Sequence, residues 1–237
     1  MGSRATVKSS MNTIKQNLQK IKAKIREFER LYKQKEESVS LIAVTKRQST
    51  QSIKEAFVSG QKSFGENYFQ EFASKKEELK DLAIEWHFIG DIQSNKAKDI
   101  AEQFDWVHSV SRIKIIECLN KYRPSDKPPL NVLVQINASG EKTKAGAQPS
   151  ELENLVENIR QQPHLRLRGL MALPEPSVLF EVKRQRVREI ISLAKPYQSE
   201  MDVLSIGTSQ DFEAAIAEGA TAVRLGTALF GARPPIP

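Results

Sequence analysis

Short apolar runs alternate along this chain with longer stretches in which apolar residues recur every three or four positions. The short runs are typical of buried strands, and the longer period is typical of helices with one buried face. Several runs are apolar almost throughout, as expected for parallel strands covered by helices. The strands predicted in this way are 40–45, 62–65, 85–90, 106–110, 131–137, 167–173, 202–206 and 221–225.

Eight strands with helices between them predict an α/β fold, a single (β/α)8 TIM barrel in one domain over residues 1–237. The chain length suits one such barrel. A doubly wound open sheet is the rival interpretation, but it would usually have fewer strands.

An extra helix is predicted before the barrel, over residues 7–35. Its residues from Val7 to Phe28 place apolar side chains on one face, at steps of three and four. Residues 1–35 carry ten Lys/Arg and two acidic residues, a net charge of +8 against +7 for the whole chain. This basic amphipathic helix either exposes a solvated basic face or has an anionic partner. We do not expect nucleic acid as that partner, because no nucleic-acid motif accompanies the charge.

The composition of the chain bears on its cellular location and on metal binding. No apolar run is long enough to span a membrane, and the N-terminus lacks the apolar core of a signal peptide. Cys118 is the only cysteine, so an internal disulfide is impossible. We therefore expect a cytoplasmic protein. We expect no metal site, because no spacing of His, Cys and carboxylates matches one.

The first strand ends at a lysine, in LIAVTKRQST at residues 41–50. An unpaired ammonium is costly to bury. Lys46 therefore either points outward into water or has a chemical role inside the barrel.

Two glycine turns follow the last two strands, in SIGTSQDFEAAI and VRLGTALFG, and the first leads into a helix predicted to begin at Ser209. Glycine lets backbone N–H groups approach an anion, and the start of a helix favours phosphate. The loops after strands seven and eight are the usual phosphate site of a barrel. Taken singly, each turn could also be an ordinary helix cap.

A phosphate site combined with a lysine on the first strand suggests pyridoxal 5′-phosphate (PLP). The ε-amine of Lys46 would form a Schiff base with the cofactor aldehyde, a reaction that requires the neutral amine. Burial and a nearby cation such as Arg224 would both favour that neutral form.

The motifs AVTK, FGENY, WHFIGDIQSNK, HSVSR, GLMAL and IGTSQDFEAAIAEGATAVRLGTALFG together resemble the pyridoxal phosphate homeostasis protein family. These proteins are single-domain relatives of the alanine racemase barrel domain. The resemblance runs from about residue 10 to residue 233 and implies a (β/α)8 barrel with an extra N-terminal helix that binds PLP.

The resemblance also implies roles for individual residues. Lys46 would carry the Schiff base, Arg224 would face the pyridine nitrogen, and Asn67 would lie near the cofactor. His87 and Met171 would lie close to the pocket. The phosphate positions would be Ser209, Gly226 and Thr227, with Gly207 shaping the turn before them. Thr45 and Thr208 depart from the AVSK and SMGMS patterns common in the family, which affects fine contacts only.

Arg224 bears on the reaction type. An arginine stays protonated and discourages protonation of the ring nitrogen that it faces, which makes the cofactor a weaker electron sink. The alternative is that Arg224 pairs with an acid such as Glu66.

The resemblance leaves open whether the protein is an enzyme or a carrier. Alanine racemases use two bases, the Schiff-base lysine and a tyrosine contributed by a separate domain of a partner subunit. The four tyrosines here fall in helical or flanking segments, and the chain ends soon after the eighth strand. We expect a PLP-binding homeostasis protein with little or no catalysis, a monomer that affects amino- and keto-acid balance. PLP-dependent apoenzymes are its expected recipients. The alternative is a small PLP-dependent amino-acid racemase that uses Lys46.

Overall fold

Eight parallel strands close into a barrel in a computed structural model that describes residues 3–137, 139 and 144–232, with side chains from residue 13 onward. Each strand pairs with its neighbour in the sequence, and the first also pairs with the last. The strands are β1 Ser40–Val44, β2 Ser63–Glu66, β3 Glu85–Phe88, β4 Trp106–Val110, β5 Leu130–Ile136, β6 Leu165–Ala172, β7 Val203–Ser205 and β8 Ala222–Leu225.

Helices connect the strands and cover the outside of the barrel. Three short 3-10 turns, at Ser94–Lys96, Pro149–Glu151 and Lys195–Tyr197, accompany them. The α-helices are α1 Ser3–Leu31, α2 Thr50–Val58, α3 Phe69–Leu79, α4 Ala97–Gln103, α5 Ile113–Tyr122, α6 Leu152–Arg160, α7 Phe180–Ser192, α8 Phe212–Ala217 and α9 Thr227–Phe230.

The closed barrel confirms the predicted fold class. An open doubly wound sheet is excluded because β1 and β8 pair directly, with Ile42 aligned to Arg224. Every predicted strand is present, with ends displaced by at most two residues. The single domain predicted over 1–237 includes residues 1–2, 138, 140–143 and 233–237, which lie outside the described part of the chain.

The predicted N-terminal helix is present but ends at Leu31 rather than at residue 35. Lys33 adopts a positive φ of 57°, and the N–H of Gln34 donates to the carbonyl of Glu29 at 2.8 Å. This left-handed turn satisfies carbonyls of the last helical turn and ends the helix. The side chains of Val7 and Met11 lie outside the described residues.

The apolar face of α1 is buried, as its periodicity predicts. Ile14, Leu18, Ile21 and Ile25 are each less than a tenth exposed, and the helix packs against α2, α8 and α9. Burial of this stripe attaches the helix to the barrel wall. Among the residues that the structure describes, no helix is both long enough and apolar enough to cross a membrane.

Candidate functional site

A cavity of about 320 Å³ opens at the carboxyl-terminal end of the barrel. Chain segments from β1, β2, β3, β6, β7 and β8 contribute to its wall. It brings together six of the eight predicted site residues. Its lining consists of Val44, Asn67, Ile89, Met171, Leu173, Thr208, Ser209, Gln210, Arg224, Gly226 and Thr227.

The loop after β7 places Ser209 at the rim of this cavity. The helix predicted from Ser209 begins only at Phe212, because the Asp211 carboxylate closes a turn first. Its Oδ1 accepts hydrogen bonds from the N–H and the hydroxyl of Thr208, at 2.7 and 2.6 Å. Gly207 precedes this turn with a φ of 110°, a conformation that favours glycine.

The loop after β8 brings its backbone close to β1. A Cβ at Gly226 would lie 3.1 Å from the carbonyl oxygen of Val44, so glycine permits this approach. Thr227 follows as the first residue of α9, where backbone N–H groups have no partner within the helix. Ser209 and Thr227 are both exposed to the cavity mouth. Hydroxyls and free N–H groups at one rim are suited to an oxyanion such as phosphate.

Arg224 lies at the base of the cavity, inside the barrel, and is only 5% exposed. Its guanidinium donates to the hydroxyl of Ser205 at 2.6 Å, to the carbonyl of Ser205, and to the carbonyl of Ala172 at 3.0 Å. The predicted alternative, pairing with Glu66, is wrong because Glu66 binds Lys75 instead. Burial lowers the pKa of Arg224 to about 10, an effect that the charge of Asp211 partly opposes. The guanidinium therefore remains a cation at neutral pH.

Lys46 lies in the turn that directly follows β1 and is partly exposed. It is two residues beyond Val44, and alternate residues of an extended segment share a face. The Nζ of Lys46 lies 3.5 Å from the hydroxyl of Tyr68 and 4.8 Å from the centre of its ring. Lys46 is therefore at the mouth, beside the Asn67–Tyr68 segment, and does not itself line the cavity.

A buried ion cluster lies directly behind Lys46. The ammonium of Lys75, on α3, donates to Glu66 at 2.8 Å, to Glu71 at 2.7 Å and to the carbonyl of Thr45 at 2.9 Å. Burial raises the pKa of Glu66, although Lys75 opposes this effect. The side chain of Lys75 is 9% exposed and that of Glu66 is fully buried, so solvent screens their attraction little.

The cluster also fixes the backbone on both sides of Lys46. Lys75 binds the carbonyl of Thr45, and the N–H of Arg47 donates to the Glu71 carboxylate. The hydroxyl of Thr45 donates in addition to Glu66 at 2.7 Å. Lys46 thus projects from a segment whose two neighbouring residues are held by buried charges.

His87 does not join the other predicted residues. It lies in β3 two positions before Ile89, on the same face but one layer deeper in the barrel. Its ring contacts Glu85 and His108 and lines a second cavity at the amino-terminal end. His87 therefore does not line this cavity, because Ile89 occupies that layer.

Sequence reasoning missed several residues of the site. Strand alternation from Lys46 would have identified Val44, and alternation from His87 would have identified Ile89. Tyr68 follows the FGEN motif, but nothing in the sequence indicates its contact with Lys46. The other lining residues that were not predicted are Leu173, Thr208 and Gln210.

The fold and the site define a barrel of the alanine racemase class. The family model described as alanine racemase, N-terminal domain, matches residues 16–234.

Two curated relatives identify the family within this class. The pyridoxal phosphate homeostasis protein of Pseudomonas aeruginosa is 48% identical over 223 residues, 94% of this chain and 97% of that protein. The protein of the same name in Escherichia coli K12 is 46% identical over 230 residues, 94% of this chain and 98% of that protein. The chain therefore belongs to the pyridoxal phosphate homeostasis protein family.

A solved structure agrees with this assignment. PipY of Synechococcus elongatus, determined with PLP bound, is 34% identical and aligns with a TM-score of 0.76. The alignment covers 87% of this chain and all of PipY.

Proposed function

We propose that this protein binds PLP as a Schiff base on Lys46 and serves PLP homeostasis, with little or no catalysis of its own. The observation that carries the proposal is one cavity that joins the two phosphate-suited loops, a buried arginine and, at its mouth, the lysine that follows β1. The names of the two bacterial relatives and the PLP bound to PipY support it.

The residues present fit this cofactor. Ser209, Gly226 and Thr227 offer hydroxyl and N–H donors for its phosphate, and Arg224 lies at the depth where a ring nitrogen would be received. Val44, Ile89, Met171 and Leu173 provide apolar walls for a planar ring. PLP supplies an aldehyde and an electron-accepting ring.

The covalent link requires a neutral amine at Lys46. Lys46 would hold the cofactor through this nitrogen, and PLP would supply the aldehyde with which the amine condenses, with loss of one water. The clamped backbone at Thr45 and Arg47 limits the positions that this nitrogen reaches.

Arg224 argues against efficient catalysis. Its three hydrogen bonds are to neutral acceptors of Ser205 and Ala172, so among the described residues no carboxylate pairs with it directly. A cation at this depth discourages protonation of a pyridine nitrogen and weakens the ring as an electron sink.

The open mouth argues in the same direction. Tyr68 is 55% exposed, Leu173 is 57% exposed and Lys46 is only partly buried. Water therefore reaches the reacting amine, whereas efficient sites of this kind exclude it. An accessible link suits a protein that takes up PLP and passes it to PLP-dependent apoenzymes.

The contact between Tyr68 and Lys46 raises the second candidate, a small amino-acid racemase. Racemisation requires two proton-transfer groups on opposite faces of the substrate carbon. Tyr68 and Lys46 lie 3.5 Å apart, which leaves no space for a carbon between them. The carrier is therefore favoured. Exchange of the α-proton of added amino acids in deuterated water, lost in Lys46→Ala, would establish the racemase instead.

Reconstitution with PLP tests the proposal. The protein should gain a visible absorption band and keep it on gel filtration, while Lys46→Ala should show no such band. Lys24→Ala is the matched control, because Lys24 is exposed on α1. An unchanged band in Lys46→Ala would contradict the assignment.

A further inference from the structure

A line of polar side chains runs through the barrel interior from its amino-terminal mouth to Arg224. The Glu85 carboxylate lies 2.8 Å from Nε2 of His87, and Nδ1 of His87 lies 2.9 Å from Nε2 of His108. Nδ1 of His108 lies 3.0 Å from the hydroxyl of Ser205, which lies 2.6 Å from Arg224. Four consecutive contacts thus link side chains of four strands, β3, β4, β7 and β8, across the barrel interior.

Both ends of this line have a fixed polarity. A guanidinium has only donors, so Arg224 donates to the hydroxyl oxygen of Ser205. An ionised carboxylate only accepts, and the hydrogen bond from His87 lowers the pKa of Glu85 to about 2. In every hydrogen bond between these ends, the residue nearer Arg224 is therefore the donor and the residue nearer Glu85 is the acceptor, provided that each hydrogen in the line has an acceptor.

This polarity assigns the tautomers of both histidines. The hydroxyl of Ser205 donates its hydrogen to Nδ1 of His108, so this nitrogen carries no hydrogen. Nε2 of His108 donates its hydrogen to Nδ1 of His87, so that nitrogen also carries none. His87 then donates from Nε2 to Glu85, and both rings are neutral.

The opposite arrangement is less satisfactory. If His108 donated from Nδ1, the hydroxyl of Ser205 would have no acceptor among its contacts in the described structure. His87 would then need a hydrogen on each nitrogen and a positive charge. Buried polar hydrogens are nearly always paired, so the neutral arrangement is favoured.

The surroundings of the histidines agree with it. His108 is fully buried, and burial lowers its pKa well below the usual value; a charge on His87 and the charge of Arg224 would each lower that pKa further. The ring of His87 stacks on Trp106, with centroids 5.4 Å apart and planes 11° from parallel. The guanidinium carbon of Arg168 lies 4.6 Å from the centre of the Trp106 ring. The imidazole planes are therefore held in position for the line.

We propose that Glu85, His87, His108 and Ser205 form a directed hydrogen-bond relay that positions the guanidinium of Arg224 at the base of the cavity. The four residues are positioning residues, since they act through Arg224. The part of this inference that concerns the cofactor rests on the proposed function, whereas the direction of the relay does not.

The first test is nitrogen-15 NMR of histidine-labelled protein without cofactor. The chain has only three histidines, and a His164→Gln variant identifies the signal of the third. The relay predicts that His87 and His108 each carry hydrogen on Nε2 and none on Nδ1. A doubly protonated His87 at neutral pH, or hydrogen on Nδ1 of His108, would overturn the assignment.

Exposed Glu85 allows a test that leaves the core intact. Glu85→Ala removes the terminal acceptor but leaves the donor Arg224 at the other end. Because Arg224 sets the direction through Ser205 and His108, His87 should keep hydrogen on Nε2 and none on Nδ1. The same tautomer is expected in Glu85→Gln and in Glu117→Ala, a control at an exposed site on α5. Hydrogen on Nδ1 of His87 in Glu85→Ala would count against the relay.

The positioning role is tested at Ser205. Ser205→Ala should weaken PLP binding about tenfold and shift the visible absorption maximum of the bound cofactor, because Arg224 loses one hydrogen-bond partner. Ser205→Thr retains the hydroxyl and should restore both. Unchanged affinity and spectrum in Ser205→Ala would refute the positioning role. If the histidines show the expected tautomers but PLP forms no adduct with Lys46, the proposed function is refuted and the relay is still supported.

Discussion

Both ends of this barrel carry polar side chains, but the contacts that these side chains make differ. At the carboxyl-terminal mouth, Ser209 and Thr227 are exposed and Lys46 makes only a long contact with Tyr68. At the amino-terminal mouth, polar groups bind one another: Glu85 accepts from His87, and Arg168 binds both oxygens of Asp202.

This difference separates a binding surface from a stabilising one. Polar groups at the carboxyl-terminal mouth that make no hydrogen bond within the described part of the chain, such as the side chains of Ser209 and Thr227, are suited to receive a ligand, as is general in such barrels. Groups paired at the amino-terminal mouth have their hydrogen-bonding capacity already used, so they contribute to stability. Variants at the two ends should therefore affect different measurements.

The largest effect is expected at the ion cluster behind Lys46. Lys75→Met leaves Glu66 and Glu71 without their cation, and removing one partner of a buried pair costs about 3–5 kcal/mol. Urea denaturation measures the loss, which should be accompanied by weaker PLP binding. Lys80→Met is the control, since the Lys80–Glu77 pair is exposed and such pairs contribute about 0–1 kcal/mol. Equal losses in the two variants would contradict the clamp.

Gly226→Ala should reduce binding with little loss of stability. Gly226 has a φ of −116°, which alanine adopts without strain, but the added Cβ would lie 3.1 Å from the Val44 carbonyl and crowd the phosphate loop. We expect PLP to bind about tenfold more weakly, a change of about 1.4 kcal/mol. Titration followed by absorbance measures it. Unaltered affinity would mean that this loop does not hold the phosphate.

Arg168→Ala should show the reverse behaviour at the amino-terminal mouth. The variant loses two hydrogen bonds to Asp202 and the contact with Trp106. We expect a loss of about 1 kcal/mol in the free energy of unfolding and no change in PLP affinity. A drop in affinity without a drop in stability would reverse the roles that we assign to the two ends.

The smallest effect is expected from Glu85 in acid. Its pKa is lowered to about 2 in the folded protein, so the ionised carboxylate stabilises the fold fully above its usual value of 4.5. That stabilisation is lost as the pH falls from about 4.5 toward about 2. Acid unfolding should therefore be steeper for the wild type than for Glu85→Gln over this interval. Superimposable curves would show that the pair with His87 contributes nothing.

Much of the fold was predictable because the apolar periodicity repeats in every strand and helix. The family resemblance also indicated six residues that line one cavity. Strand alternation identifies the face on which His87 lies but not its depth along the strand. Only the structure shows that Ile89, two residues later, occupies the layer at the cavity.

The remaining features depend on contacts between distant segments. Lys75 reaches the carbonyl of Thr45 from α3, 30 positions later, and His108 contacts Ser205 across 97 positions of the chain. The later start of α8 depends on one side-chain bond, from Thr208 to Asp211, which competes with helix formation. None of these contacts leaves a periodic signal in the sequence.

The most direct test of the central claim is to find which residue carries the cofactor. The protein saturated with PLP is reduced with borohydride, digested and analysed by mass spectrometry. We predict a single pyridoxyl-lysine, located at Lys46. A stoichiometric adduct at another lysine, with Lys46 unmodified, would contradict the account.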